Sequence, residues 1–189
     1  GKVYEQKISQ LALANLDYDY RNRHHLSYNF MMVHDNVQSV GDYDGMDSGK
    51  FNDDYDNMGF TRRQQANDNW LLVNQLMTNW GLTKTLSFDA GASYNVVKGS
   101  EPDRRINNLR KAAEGYTLLE GNSQQRYFSE LNENDLNVKA GLTYRLADDQ
   151  EEISNIRIGY NGRFVNDDFE ATEYNMTVAH SSVFRLEDF

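Results

Sequence analysis

The stretch from Asn69 to Lys98, NWLLVNQLMTNWGLTKTLSFDAGASYNVVK, constrains this chain more than any other, because it alternates residue by residue. Even positions carry Trp70, Leu72, Leu76, Trp80 and Leu82, then Leu86, Phe88, Ala90, Ala92, Tyr94 and Val96; odd positions carry Gln75, Asn79, Ser87, Asp89, Ser93 and Asn95. A period of two is the signature of extended backbone whose side chains point alternately to opposite faces. Folding the stretch across Thr83-Lys84-Thr85 sets Leu82 opposite Leu86, Trp80 opposite Phe88 and Leu76 opposite Ala92. The two apolar faces then coincide, as a register without a slip requires.

The same parity recurs along the chain. Ile8, Ala12, Ala14, Leu16, Tyr18 and Tyr20 form one face of a first strand, with Leu11 and Leu13 as exceptions, and Leu26, Tyr28, Phe30 and Met32 one face of a second. Leu136, Val138, Ala140, Leu142 and Tyr144 repeat the pattern, followed by Ile156, Ile158, Tyr160 and Phe164. Between these lie two hydrophilic excursions. One runs from about Asp35 to Arg63 and reads as a large loop or an extended, protruding ribbon. The other runs from about Gly99 to Gln125, with the only proline, Pro102, and a helical turn expected around Asn107 to Ala113. Short polar breaks at Arg21 to His24, Thr83 to Thr85 and Ala147 to Glu152 alternate with these excursions, so short turns gather at one end of the strands and long connections at the other. Outer-membrane barrels have that asymmetry; a soluble sandwich gives no reason for it.

The sequence therefore predicts an all-β fold over residues 1–189 as one segment: an antiparallel meander of about six or more strands, a partial arc of a transmembrane β-barrel with long extracellular loops. Trp70 and Trp80 stand ten residues apart on one face, which is roughly 33 Å along a strand and roughly 25 Å along the normal once the strand tilts. Trp70, Leu72, Leu76, Trp80, Phe88, Tyr94, Leu142 and Tyr144 are the expected lipid-facing residues. The opposite face would line water or a plug. The mean hydropathy of −0.80 does not count against this, since barrel strands alternate and need no apolar run. No run of 18 apolar residues and no charged-then-apolar leader pattern is present in the sequence.

The net charge of −10 argues against nucleic acid as a partner. Without cysteine there is no thiolate metal site and no disulfide framework. Asp54, Asp56 and Gly59 fit the first, third and sixth positions of a calcium loop, but Met58 and Gln65 occupy the fifth and twelfth, so no dedicated site is expected. His24, His25, His34 and His180 lack ligand spacing. With no catalytic motif, neither an enzyme nor a cofactor is expected. The aromatic and acidic residues Tyr43, Asp44, Phe51, Tyr55 and Phe60 are the candidate ligand-facing set.

Four segments carry a family resemblance: SYNFMMVHDNVQSVGDYDG (Ser27 to Gly45), RRQQANDNWLLVNQLM (Arg62 to Met77), DAGASYNVVKGSEPDRR (Asp89 to Arg105) and NDLNVKAGLTYRL (Asn134 to Leu146). Together they resemble barrel segments of TonB-dependent outer-membrane receptors of the Bacteroidetes type. The resemblance implies a place in the cell outer membrane and import of a nutrient ligand such as a siderophore, cobalamin or glycan, with TonB and a plug domain as partners alongside membrane lipid. Such barrels have about 22 strands, so this chain would be a fragment, and neither plug nor TonB box can be placed in it. A fragment exposing such a face is expected to self-associate through it or along its sheet edges. The alternatives are a soluble all-β binding module using the Asp/Tyr-rich loops for glycan or protein, and, more distantly, a β-rich hydrolase with loop carboxylates.

Overall fold

Alternation this regular leaves the backbone one way to satisfy its hydrogen bonds, by pairing strand with neighbouring strand. The computed structural model, which describes residues 1–21, 23–45, 59–118, 121–149, 152–178, 183 and 185, is a single antiparallel sheet. Its strands are β1 (Lys2–Tyr20), β2 (His24–Gly45), β3 (Gly59–Gly81), β4 (Leu86–Ala112), β5 (Gly115–Leu118), β6 (Gly121–Asp149) and β7 (Glu152–Val178). The order across the sheet is β1-β2-β3-β4-β6-β7, each strand beside its predecessor, with the short β5 on β4. β1 and β7 are open edges, so the sheet is an unclosed arc.

The expected register is present: Trp80 pairs with Phe88 and Leu76 with Ala92. Thr83 closes this turn, its Oγ1 accepting from the backbone N–H groups of Thr85 and Leu86 at 3.2 and 2.9 Å. Much of what reads as hydrophilic excursion is strand. β2 runs on to Gly45 and β3 begins at Gly59, paired throughout, so the first excursion is the protruding ribbon. The helical turn expected around Asn107 to Ala113 is not there: Asn107 and Asn108 continue β4, and Leu109 to Ala112 pair with β5. Helical propensity loses because β3, as far as Arg110, and β5 beyond it already offer these residues backbone partners. The polar tail beyond Asn166 is likewise strand, to Val178.

Pro102 explains a shift in this lattice. Pro102 and Asp103 together oppose the single residue Phe128, because Glu101 pairs with Ser129 and Arg104 with Tyr127. β4 also carries one residue more than β3 between Ser100 and Arg105. Proline has no N–H to give to a ladder and is tolerated in a strand interior where a bulge takes the residue out of the pairing. Beyond the bulge the faces of β4 exchange, so that Leu109 and Arg105 join the even-numbered residues of β3 and β6.

A second junction lies where β5 and β6 meet along β4. The β4–β6 ladder stops at Ile106 opposite Gln125. The Gln124 side chain then stands in for a strand: its Oε1 accepts from the Asn108 N–H at 3.2 Å and its Nε2 donates to the Asn108 carbonyl at 2.7 Å. Both residues are buried. Nearby, Phe60 and Leu109 are the fully buried apolar residues among those described, with Tyr116 of β5 at 5.6 Å from Phe60 between ring centroids.

Among the described residues that is the whole core. The chain exposes 13471 Å², against about 9,300 Å² for a globular protein of its mass. Among the described residues the sheet is one layer, with no second layer packed on either face. Replacing Gln124 by alanine would remove both of its bonds to the Asn108 backbone. We expect it to cost about 1–3 kcal/mol in urea unfolding and to speed hydrogen exchange at the Asn108 amide.

Candidate functional site

On the turn side of the bulge, and on β6 as far as Arg145, even positions pair with even positions from β1 through β7, so each register row there presents one kind of face. The row nearest the short turns reads Tyr20, His24, Trp80, Phe88, Leu142, Ile158. Its first three rings touch, with centroids 6.0 Å apart for Tyr20–His24 and 4.9 Å for His24–Trp80. Ten residues away along β3 the row reads Gln10, His34, Trp70, Lys98, Asn132, Asp168. There His34 lies flat on Trp70 at 3.8 Å. Between these rows the face carries Leu16, Leu26, Leu76, Leu136 and Tyr160, all substantially exposed. The eight residues expected to face lipid are all on this side, across β3, β4 and β6.

Several polar side chains inside the band bond within the sheet. Asn74 accepts from the Tyr28 hydroxyl at 2.8 Å and donates to the Tyr94 carbonyl at 3.4 Å. Thr78 donates to the His25 carbonyl at 2.9 Å, and the Tyr94 hydroxyl to Asn134 at 2.9 Å. Water would make these bonds unnecessary; in hydrocarbon nothing else can supply them. The loop-side border of the band stays level from β1 to β3 and then slants. It lies at Trp70 on β3, one pairing step further in at Val96 on β4, and another at Leu136 and Phe164 on β6 and β7. Over those strands the slant corresponds to a tilt of roughly 40°, within the range of barrel strands crossing a slab. Exposed large apolar residues with odd numbers, such as Leu11, Leu13, Val165 and Phe169, belong mostly to the edge strands.

The odd face is a polar lattice. One row crosses all six strands as Asn15, Asn29, Gln75, Ser93, Asn137 and Arg163. Asn15 donates to Asn29, and Asn29 to Gln75 at 3.2 Å. Arg163 grips Asp135 through Nε and Nη2 at 3.2 and 3.1 Å. Arg157 reaches Asp89 at 2.7 Å across Gly141, where a Cβ would stand 2.9 Å from the Asp89 carboxylate. Glycine at 141 thus keeps the path of that ion pair clear.

On the loop side of the band, charged pairs dominate the even face. Arg62 binds Asp42 in two-pronged fashion, Nε to Oδ1 at 2.8 Å and Nη2 to Oδ2 at 3.0 Å. Those hydrogen bonds hold the Asp42 carboxyl below its ordinary range and raise Arg62. Asp103, presented by the bulge, is held between Arg126 at 2.9 Å and Arg105 at 2.5 Å, and its carboxyl is lowered chiefly by the bonds from Arg126. These two clusters and the His34–Trp70–Asp68 group were not legible as sites; only the register brings them together.

Of the candidate ligand-facing set, Phe51 and Tyr55 lie outside the described residues, as does most of the acidic stretch weighed as a calcium loop. Tyr43 pairs with Thr61 and Asp44 with Phe60, so Tyr43 and Phe60 point to opposite faces. Phe60 is buried against Tyr116, with the Arg62 guanidinium 5.6 Å above its ring. The structure does not bring these two aromatics into one platform. Among the described residues no group of three His, Cys, Asp or Glu is placed to hold a metal ion.

No protein-family model and no curated protein matches this chain.

The lowered carboxyls of Asp42 and Asp103 set the sign of a pH dependence. Their pairs stabilise the ribbon fully above the ordinary carboxylate pKa, and that contribution disappears as pH falls through their depressed values. Amide protection factors should therefore fall in acid at Tyr43 to Gly45, Gly59 to Arg63 and Arg105 to Leu118 while the turn-side strands hold. Arg62→Ala should abolish the Asp42 part and cost about 1–2 kcal/mol at neutral pH.

Proposed function

We propose that this chain is an arc of the wall of an outer-membrane β-barrel, with its even face against lipid and its odd face toward a hydrated interior. The observation that carries this reading is the pairing of a single-layer sheet with an apolar band in which Tyr28, Asn74, Thr78 and Tyr94 bond within the sheet. On β3 the band runs ten residues from Trp70 to Trp80, which matches the height of a bilayer's hydrocarbon. A soluble antiparallel sheet has the same alternation, but it packs its apolar face on a second layer, and none is present among the described residues.

The wider role rests on the resemblance to TonB-dependent receptors and is proposed on that basis. The arc would belong to a barrel importing a nutrient ligand, with a plug against the odd face and TonB as energy source. The Asn15 to Arg163 row and the Asp89–Arg157 pair supply the donors and acceptors that such an interior contact needs. Both edges, β1 and β7, are long and unpaired, and hydrocarbon tolerates no open edge. In lipid they pair with further strands; in water alone the chain self-associates through them.

The chain has no cysteine, so single thiols report cleanly. Nitroxide labels at Leu76→Cys and Leu142→Cys in reconstituted vesicles should be accessible to oxygen and shielded from a water-soluble nickel complex. Labels at Gln75→Cys and Asn137→Cys should show the reverse. Equal accessibility at adjacent positions 75 and 76 would sink the proposal. Independently, Leu76→Arg should cost about 2–4 kcal/mol in the bilayer, and Gln75→Arg close to nothing.

A further inference from the structure

At the turn-side border of the band, the backbone holds an arginine in a conformation that arginine rarely takes. β1 and β2 are joined by a tight turn in which the Arg23 N–H donates to the Tyr20 carbonyl at 3.3 Å and Arg21 has a φ of 53°. Left-handed backbone crowds any side chain with a Cβ, and asparagine or glycine occupies such a turn with less strain. A strained residue kept at an exposed turn points to a use for its side chain. The Arg21 guanidinium lies over the Tyr20 ring, 4.9 Å from its centroid, at the head of the Tyr20–His24–Trp80 row on the even face. Arg23 is tied to the end of β3 by the Gly81 N–H, which donates to its carbonyl at 2.8 Å, and Lys84 stands in the next turn. Among the described residues none of these three cations forms a salt bridge. Carboxylates keep away from this corner. Asp17 and Asp19 are on the odd face, where His25 holds them at 3.5 and 2.9 Å. Asp148, Asp149 and Glu152 belong to the ends of β6 and β7, with β3 and β4 between them and β2, a separation of roughly 14 Å. On the even face the rows from Tyr20 to Ala14 contain no Asp or Glu.

We propose that this corner binds the headgroup of an anionic glycerophospholipid of the phosphatidylglycerol kind, an inference that rests on the even face meeting lipid. The short turns of an outer-membrane barrel lie on the periplasmic side, where the leaflet is glycerophospholipid, so the occupant is present at this level. Arg21 takes the phosphate through paired N–H donors while its other face stays on Tyr20. The glycerol lies against the His24 and Trp80 rings, and the acyl chains run over Tyr18 and Leu26, which pair with each other and are exposed. Arg23 and Lys84 add attraction for a net negative charge. With no carboxylate on this face to receive it, the ammonium of an ethanolamine or choline headgroup would meet only cations. The adjoining apolar surface is the reason a lipid, rather than a free phosphate ester, is the fitting occupant.

The test is native mass spectrometry of the full chain released from mixed micelles holding phosphatidylglycerol, phosphatidylethanolamine and phosphatidylcholine in equal amounts. The wild type should retain phosphatidylglycerol over each of the others by about fivefold, the effect of one arginine beside a charged lipid surface. Arg21→Gly and Arg21→Asn should each bring the ratios close to one. Because both residues suit the left-handed turn, their urea midpoints in the same micelles should be at or above that of the wild type. Lys139→Ala, on the odd face, should leave the ratios alone. Free glycerol 3-phosphate at the same concentration should not displace the lipid. Equal retention of the three lipids, preference for a zwitterionic one, displacement by the free phosphate ester, a preference that survives both Arg21 variants, or a midpoint lowered in both would overturn the site. Those outcomes leave the accessibility pattern at positions 75 and 76 intact, so failure of the site and failure of the membrane reading are told apart.

Discussion

Register between strands is the constraint on which everything else here depends. A single-layer sheet has no core to correct a slip, so the only thing aligning Tyr20, His24, Trp80, Phe88, Leu142 and Ile158 into one row is the unbroken ladder of backbone bonds through six strands. Because side chains alternate with a period of two, a shift of one residue would send a whole strand's apolar set to the wrong side. Tight turns at the end of the first two strands and at Thr83 fix that alignment from one end. The apolar band then follows as a property of the lattice, not of any one strand.

The two faces answer to different physics. On the even face, Asn74 and Thr78 are tolerated because Tyr28, Tyr94 and the His25 carbonyl occupy their hydrogen-bonding groups. On the odd face the carboxamides and ion pairs are linked across strands, and those that are exposed contribute little to stability. Their value there is chemical, a surface rich in donors and acceptors. The contrast extends to the ribbon, where even-numbered positions of β2 and β3 turn from leucine and tryptophan to glutamine, aspartate and arginine.

What was legible in the sequence is what a period of two encodes: the turn-side strands, the Trp80–Phe88 and Leu76–Ala92 register, and the even face. Less legible were the outer halves of β2, β3 and β4, because polar residues rich in Asp, Asn and Gly carry weak strand preference and form strand here only because a paired neighbour extends the ladder past them. The expected helix at Asn107 to Ala113 failed for that reason. The bulge did have a signal, the lone Pro102 lying between Val96 and Ile106, two apolar residues with no clean alternation joining them. Gln124 had none, since a side chain that replaces a strand's backbone looks like any other glutamine. Tyr43 and Phe60 appeared as companions by composition, yet one residue of parity separates their faces.

The bulge at Pro102 also divides the sheet into two regimes of tolerance. Because β4 changes face there, the spacing of residues beyond it no longer governs which side chains meet the apolar band. The outer ribbon is free to lengthen, shorten or change its surface chemistry by single-residue steps while the inner lattice keeps phase. The same step between Leu86 and Lys98 would invert a strand. A proline that at first reads as a break in a loop is thus a boundary between a region whose length is fixed and one whose length can drift.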